Sequence, residues 1–151
     1  MGKIPVDPIS GGGGLMWEKL TEENVSMSGG KKDASAVHVA YQDIAYSGEG
    51  YDLLFIDTTV TISGAVVNPG QILLGGSGPA LVTKSGAATT ATKRFLLIRA
   101  LNGSFHTKAT SSGNCVMVSD TKVVLELKAG GDGTNVDASG IIRIYGAKFN
   151  V

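Results

Sequence analysis

The stretch "GIIRIYGAKFNV", Gly140–Val151, decides the reading of the fold. Ile142 and Ile144 fall on one face of an extended segment, and Ile141, Tyr145 and Phe149 on the other. β-Branched and aromatic residues at this density favour a strand over a helix. Each sheet of a small sandwich keeps one wet face. The two-sided pattern therefore predicts a strand with one face in its own core and the other covered by a neighbouring subunit.

Working outward, "KVVLELK" places Val123, Leu125 and Leu127 inward against Glu126 and Lys128, and "SD" is the turn before it. "AGGDGTNVDASG" reads as a glycine-rich loop leading into the final strand. Upstream, "AVHVAY" alternates Val37, Val39 and Tyr41 against Ala36, His38 and Ala40. "YDLLFIDTTVTISGAVV" starts apolar on both faces and settles at Thr58 into Val60 and Ile62 inward, with Thr59, Thr61 and Ser63 outward. "NPG" at Asn68–Gly70 is a turn in which Pro69 presets one dihedral and Gly70 supplies the left-handed one. "QILLGG" is a short strand. The small-residue stretch Gly76–Lys93 reads as a long hairpin or loop with only "ALVT" strand-like. "KRFLLIRAL" carries apolar residues on both parities and predicts a central strand covered on both sides. Asn102 and Gly103 then turn the chain into "SFHTKA", and "CVMV" follows.

Eight to ten strands with turns every 8 to 12 residues and no convincing helix predict an all-β fold, an antiparallel β-sandwich or jelly roll. Parallel α/β folds are excluded because no gap supplies the dozen or more helical residues a crossover needs. Residues 1–14, with Pro5, Pro8 and a glycine tetrad, predict an extended N-terminal arm, and residues 15–151 a single domain. "LMWEKLTEENVSM" is a short helix or a strand entering a turn, anchored by Trp17.

The composition agrees. The 151 residues are 42% hydrophobic, enough for one core, and 17% charged, with 22 glycines. Thirteen basic and thirteen acidic side chains cancel. No global field attracts nucleic acid or an anionic membrane, and self-association meets little repulsion. The single cysteine, Cys115, forms no internal disulfide and reads as a small buried hydrophobe. Prolines and glycines interrupt the N-terminus where a signal peptide would need an apolar run, so synthesis in a cytoplasm is expected. No apolar run approaches the roughly 20 residues that span a bilayer, and no membrane insertion is expected.

Candidate chemistry is sparse. His38 and His106 lie on separate predicted strands with no ligand spacing between them, and no serine occupies a nucleophile elbow. Asp132, Asn135 and Asp137 share a loop but lack EF-hand spacing, and the turn reading outweighs a Ca²⁺ site. "GGSGP" and "GGGG" lack the lysine and helix of a phosphate cradle. Tyr41, Tyr46 and Tyr51 cluster in sequence as a sugar-stacking platform, against the commoner fate of aromatics in a core. No catalytic residue, cofactor or metal is expected.

The segment "KVVLELKAGGDGTNVDASGIIRIYGAKF" resembles the closing strands of small structural proteins of tailed bacteriophage virions: tail-fibre, tail-tip and capsid-associated proteins. Gly140, Ile142, Ile144, Tyr145, Gly146 and Lys148 match a final strand of the form Gly-x-Ile-x-Ile-Tyr-Gly-x-Lys. The resemblance implies a non-enzymatic β-sandwich of the virion, made in host cytoplasm, oligomeric and often trimeric, that docks on capsid or tail subunits. The expected interface residues are Pro5, Pro8, Trp17, Ile141, Tyr145 and Phe149. The alternative is a carbohydrate- or receptor-binding module that meets host-surface glycan through the loops at Gly76–Lys93 or Gly130–Gly140. Neither loop holds an aromatic residue.

Overall fold

A computed structural model describes residues 5–6, 16–32, 37–64, 70–74, 79–100, 103–106, 117–129 and 134–149. In chain order the strands are β1 (Pro5–Val6), β2 (Trp17–Lys32), β3 (Val37–Ala45), β4 (Leu53–Gly64), β5 (Gly70–Leu74) and β6 (Ala80–Lys84). They continue with β7 (Thr89–Arg99), β8 (Phe105–His106), β9 (Met117–Val118), β10 (Lys122–Ala129) and β11 (Thr134–Ala147). Every pairing among them is antiparallel, and the described residues contain no helix.

Hydrogen bonds run along one path, β6-β5-β10-β3-β2-β11-β4-β7-β8-β9, with β1 beside the start of β2. The path folds into two sheets because β2 and β3 pair only at Lys31–His38 and Lys32–Val37. Beyond that tip β3 joins β10, while β2 stays with β11. Where the two strands have parted, the Gln42 side chain bridges the gap: Ser26 N–H donates to its Oε1 at 2.8 Å, and its Nε2 donates to Asn24 O at 2.9 Å. The second sheet, β6-β5-β10-β3, lies across the first, with β10 against β2 and β11 and β6 against β4 and β7.

Between the sheets sits the core. β4 contributes Leu54, Ile56, Val60 and Ile62, β11 contributes Ile142 and Ile144, and β10 contributes Val123, Leu125 and Leu127. The burial of β4 follows its sequence: both faces are covered at Leu53–Ile56, and then alternate positions only. Gly140 has φ +136°, and a Cβ there would lie 2.2 Å from Thr59 O. Only glycine lets β11 approach β4 this closely.

One end of the sandwich is closed by Arg99. Its guanidinium donates to three backbone carbonyls, those of Tyr51 (2.7 Å), Gly103 (2.6 Å) and Gly48 (2.6 Å), and lies 4.2 Å from the centre of the Phe105 ring. The rigid fork of donors suits three acceptors at once. Tyr46, also buried there, donates its hydroxyl to Ser119 O. Burial and the nearby Asp120 carboxylate raise its pKa.

Several sequence expectations need correction. "WEKLTEENVSM" belongs to a 16-residue strand, neither a short helix nor a strand entering a turn. Two irregularities in its pairing with β11, at Ile144/Tyr145 and Val136/Ala138, insert extra residues on the β2 side. The first, around Leu20, switches the face presented by alternate residues, so Trp17 and Lys19 share a side with Glu22. Within Gly76–Lys93 the strand-like "ALVT" is β6, but the stretch also holds the start of β7, which lies in the other sheet. The glycine-rich loop before the last strand ends sooner than expected, since β11 begins at Thr134. β7 is not covered on both sides, and residues 5–6 of the expected arm pair with this chain's own β2.

Candidate functional site

The outer face of the first sheet, turned away from the core, is assembled from β2, β11, β4 and β7. Their register aligns outward side chains in rows that cross all four strands. Trp17, Ala147, Leu53 and Ile98 form the first row, and Lys19, Tyr145, Phe55 and Leu96 the second. Glu22, Arg143, Asp57 and Arg94 form the third. The fourth holds Asn24, Ile141, Thr59 and Thr92, and the fifth Ser26, Ser139, Thr61 and Thr90.

The first two rows are apolar, Lys19 excepted. Trp17, at 1% exposure, packs with Leu53, Phe55, Ala147 and the half-buried Tyr145 in a cluster separate from the main core. Trp17 meets Phe55 edge-on with ring centres 6.1 Å apart, and Phe55 meets Tyr145 at 6.2 Å. Edge-to-face and tilted geometries of this kind add to the area they bury. The β7 end of the same rows is bare: Leu96 is 46% exposed and Ile98 54%. Phe149, just past β11, is 51% exposed. Leu96 and Ile98 thus stand side by side in water next to the buried aromatic cluster.

The third row alternates in sign across the sheet. Arg143 Nε donates to Glu22 Oε1 at 2.6 Å, and Arg94 Nε to Asp57 Oδ1 at 3.2 Å. Hydrogen bonds from Arg143 and then Lys19 hold the Glu22 carboxyl below its ordinary pKa, and the Glu22 bond raises that of Arg143. Asp57, on the other side of Arg143, adds to that rise. The row is a neutral ladder of fixed charges. Below it, paired threonines share hydroxyl hydrogen bonds, Thr59–Thr92 at 3.0 Å and Thr61–Thr90 at 2.6 Å.

Of the six residues expected at an interface, Ile141 and Tyr145 lie on this face and are half-buried, and Phe149 lies exposed at its end. Trp17 is on the same face but buried within its own chain. Pro5 stands in β1, paired with Glu18, and Pro8 lies outside the described residues. Nothing in the sequence singles out Leu96, Ile98, Glu22 and Arg94, because only the long-range register places them together.

The other sequence candidates do not converge. Tyr46 and Tyr51 are buried, Tyr51 donating to Glu18 Oε2 at 2.7 Å, while Tyr41 stands 61% exposed on the second sheet. The sugar-stacking platform is therefore not assembled from these three. Burial and then the Glu18 bond push the Tyr51 phenol up to about 12. Cys115 and Asp132 lie outside the described residues, as do the side chains of His38, His106 and Asn135. Among the described residues no three His, Cys, Asp or Glu side chains gather as a metal site. The second sheet ends in an open cleft of about 270 Å³ between Gln71, Thr83, Ser85 and Lys128, with the buried Lys84 in its wall.

No family model matches this chain, and no curated protein matches it. Among solved structures, it is similar to a chain in the structure of infectious bursal disease virus, Gx strain. The identity is 14% and the TM-score 0.39, over 99% of this chain and 38% of that one. The Gt strain structure gives 11% identity and a TM-score of 0.38, over 95% of this chain and 37% of that one. The chain spans little more than a third of the length of either.

Proposed function

We propose that this protein is a non-enzymatic structural component of a virion, which works by assembling with copies of itself and docking on other virion proteins. A tailed bacteriophage is the source that the resemblance of the closing strand favours. The observation that carries the reading is the outer face of the first sheet. Leu96 and Ile98 are left in water at the border of a buried aromatic cluster, on a face whose charges are already neutralised within the sheet. Covering Leu96 and Ile98 removes apolar surface from water, which favours association.

The test is the native mass of the full chain by light scattering, together with deletion of its gene from the parent virus. Assembly in solution, the protein's presence in purified wild-type particles, and loss of particle integrity on deletion are the expected results. A monodisperse 15.5 kDa monomer at high concentration, with intact particles after deletion, would overturn the proposal.

A further inference from the structure

The outer face of the second sheet holds a buried carboxylate with no partner among the described residues. Along β10, Val123, Leu125 and Leu127 enter the core, so Lys122, Val124, Glu126 and Lys128 point the other way. Register sets Glu126 between Tyr41 of β3 and Leu73 of β5. Asp43 and Val124 form the next row on one side, and Lys128 and Gln71 the next on the other. Glu126 is 9% exposed, and no hydrogen bond or ion pair reaches its carboxylate among the described residues. No side-chain oxygen among them is both sealed from solvent and unbonded, so the carboxylate oxygens open to the surface while the rest of the side chain is buried. Burial raises the pKa of Glu126, and the charge of Lys128 opposes that rise.

A carboxylate this deep is normally paired, because its desolvation is otherwise uncompensated. Beside it stands the Tyr41 ring, 61% exposed. We infer that Tyr41 and Glu126 form a socket for an arginine side chain of a different protein, with the guanidinium flat on the Tyr41 ring and donating to the Glu126 carboxylate. This goes beyond the proposed assembly by naming what the docking partner carries, and it rests on that reading only for the partner's place in a virion.

A planar guanidinium stacks on an aromatic face and offers the carboxylate a fixed fork of donors, whereas an ammonium is compact and strongly hydrated. Asp43 follows Tyr41 by two residues on the same face, and its bond to Lys122 at 3.3 Å joins two exposed side chains. Such a pair contributes little and yields readily to an incoming cation. Lys128 lies on the far side of Glu126 from Asp43, in the row of Gln71 that leads to the open cleft, so the guanidinium enters from the Asp43 side. A second copy of this chain does not supply the arginine. The chain has three, and each is engaged at home: Arg94 by Asp57, Arg143 by Glu22, and Arg99 by three backbone carbonyls. The partner is therefore another protein.

The test is nuclear magnetic resonance of the full chain at constant ionic strength, titrated with Nα-acetyl-arginine methylamide. Parallel titrations use the lysine analogue and methyl glucoside. The arginine probe should shift the Glu126 carboxyl carbon and the Tyr41 ring together and saturably, with a dissociation constant on the order of 10 mM. Glu126→Gln should weaken binding at least about tenfold. Tyr41→Ala, at an exposed position, should weaken it about threefold, and Tyr41→Phe should leave it intact. Unchanged circular dichroism would confirm that the variants fold. No saturable shift up to about 100 mM overturns the inference. An equal response to the lysine analogue does so too, as does binding undiminished by Glu126→Gln. The glucoside shifting the same two signals in place of the arginine probe would also overturn it and make this face a sugar site. A chain that binds the probe while the deleted virus keeps intact particles retains the socket and removes the virion reading. A chain found in particles that binds no probe does the reverse.

Discussion

The two ends of the β4–β7 pair share one register and one outer face, and they solve the problem of that face in opposite ways. At the Leu53–Phe55 end, aromatic and aliphatic side chains gather into a cluster that hides Trp17 and leaves Leu96 and Ile98 in water. At the Thr59–Thr61 end, short hydroxyl side chains pair across the strands, and the half-buried Ile141 is the large apolar side chain beside them. Between them runs the charge row. A strand can thus carry a hydroxyl-paired surface at one end and exposed aliphatic side chains at the other, with only a line of charges between.

Truncation should expose that asymmetry first. Trp17→Ala, at the aromatic end, should lower stability by about 3–5 kcal/mol in urea denaturation, as large-to-small changes at buried aromatic sites do. Thr59→Ala, at the other end, should stay within about 0.5 kcal/mol. Comparable losses at both sites would erase the distinction. Gly140→Ala sharpens it next. The new Cβ meets the backbone of Thr59 and Val60 in a left-handed conformation, and the expected cost is about 2–4 kcal/mol. The threonine end would then depend on close backbone approach where the aromatic end depends on bulk.

Leu96→Ser and Ile98→Ser should change monomer stability by less than about 0.5 kcal/mol, since both side chains are exposed. They should reduce self-association and the binding of a hydrophobic dye. A large drop in thermal stability would mean that these residues already pack within the chain.

Two titrations probe the two sides of the same sheet, Tyr51 the core side and Glu22 the outer face. The Tyr51 phenol is raised in the folded state, so its contribution to stability is complete below the ordinary tyrosine pKa of about 10. It should be lost as pH climbs toward about 12. Alkaline unfolding followed by tyrosine absorbance should show this step, and Glu18→Gln should move its midpoint down. The smallest effect is at Glu22. Its folded pKa is depressed, so its contribution is present above the ordinary glutamate value and fades as pH falls through the lowered one. Carboxyl chemical shifts in Arg143→Gln should show the midpoint returning upward.

Much of the fold is legible in sequence because a strand announces itself by parity. β4 passes from two-sided to one-sided burial where Thr58 begins its alternation, and Ile142 and Ile144 reach the core as their spacing requires. β2 is obscured because the extra residue at Leu20 breaks parity between Trp17 and Val25, and a broken period of two imitates a helix. β7 misleads for another reason. Apolar residues on both parities say that both faces want cover, and Leu96 and Ile98 show that this chain covers only one. The charge ladder is invisible in sequence, since its members lie on four strands and only the fold sets them in line. The Gly76–Lys93 stretch looks like a loop because small residues and threonines carry little hydrophobic signal. Thr89–Thr92 nevertheless pair residue for residue with Thr59–Ile62.

Gln42 has a consequence for how anything can approach this molecule. Its carboxamide offers one acceptor and one donor at the spacing of a peptide unit and occupies the backbone groups that an added strand would seek. With β1 seated before it and β3 after it, the rim of β2 is a poor template for recruitment, so fibre-like growth through that rim is discouraged.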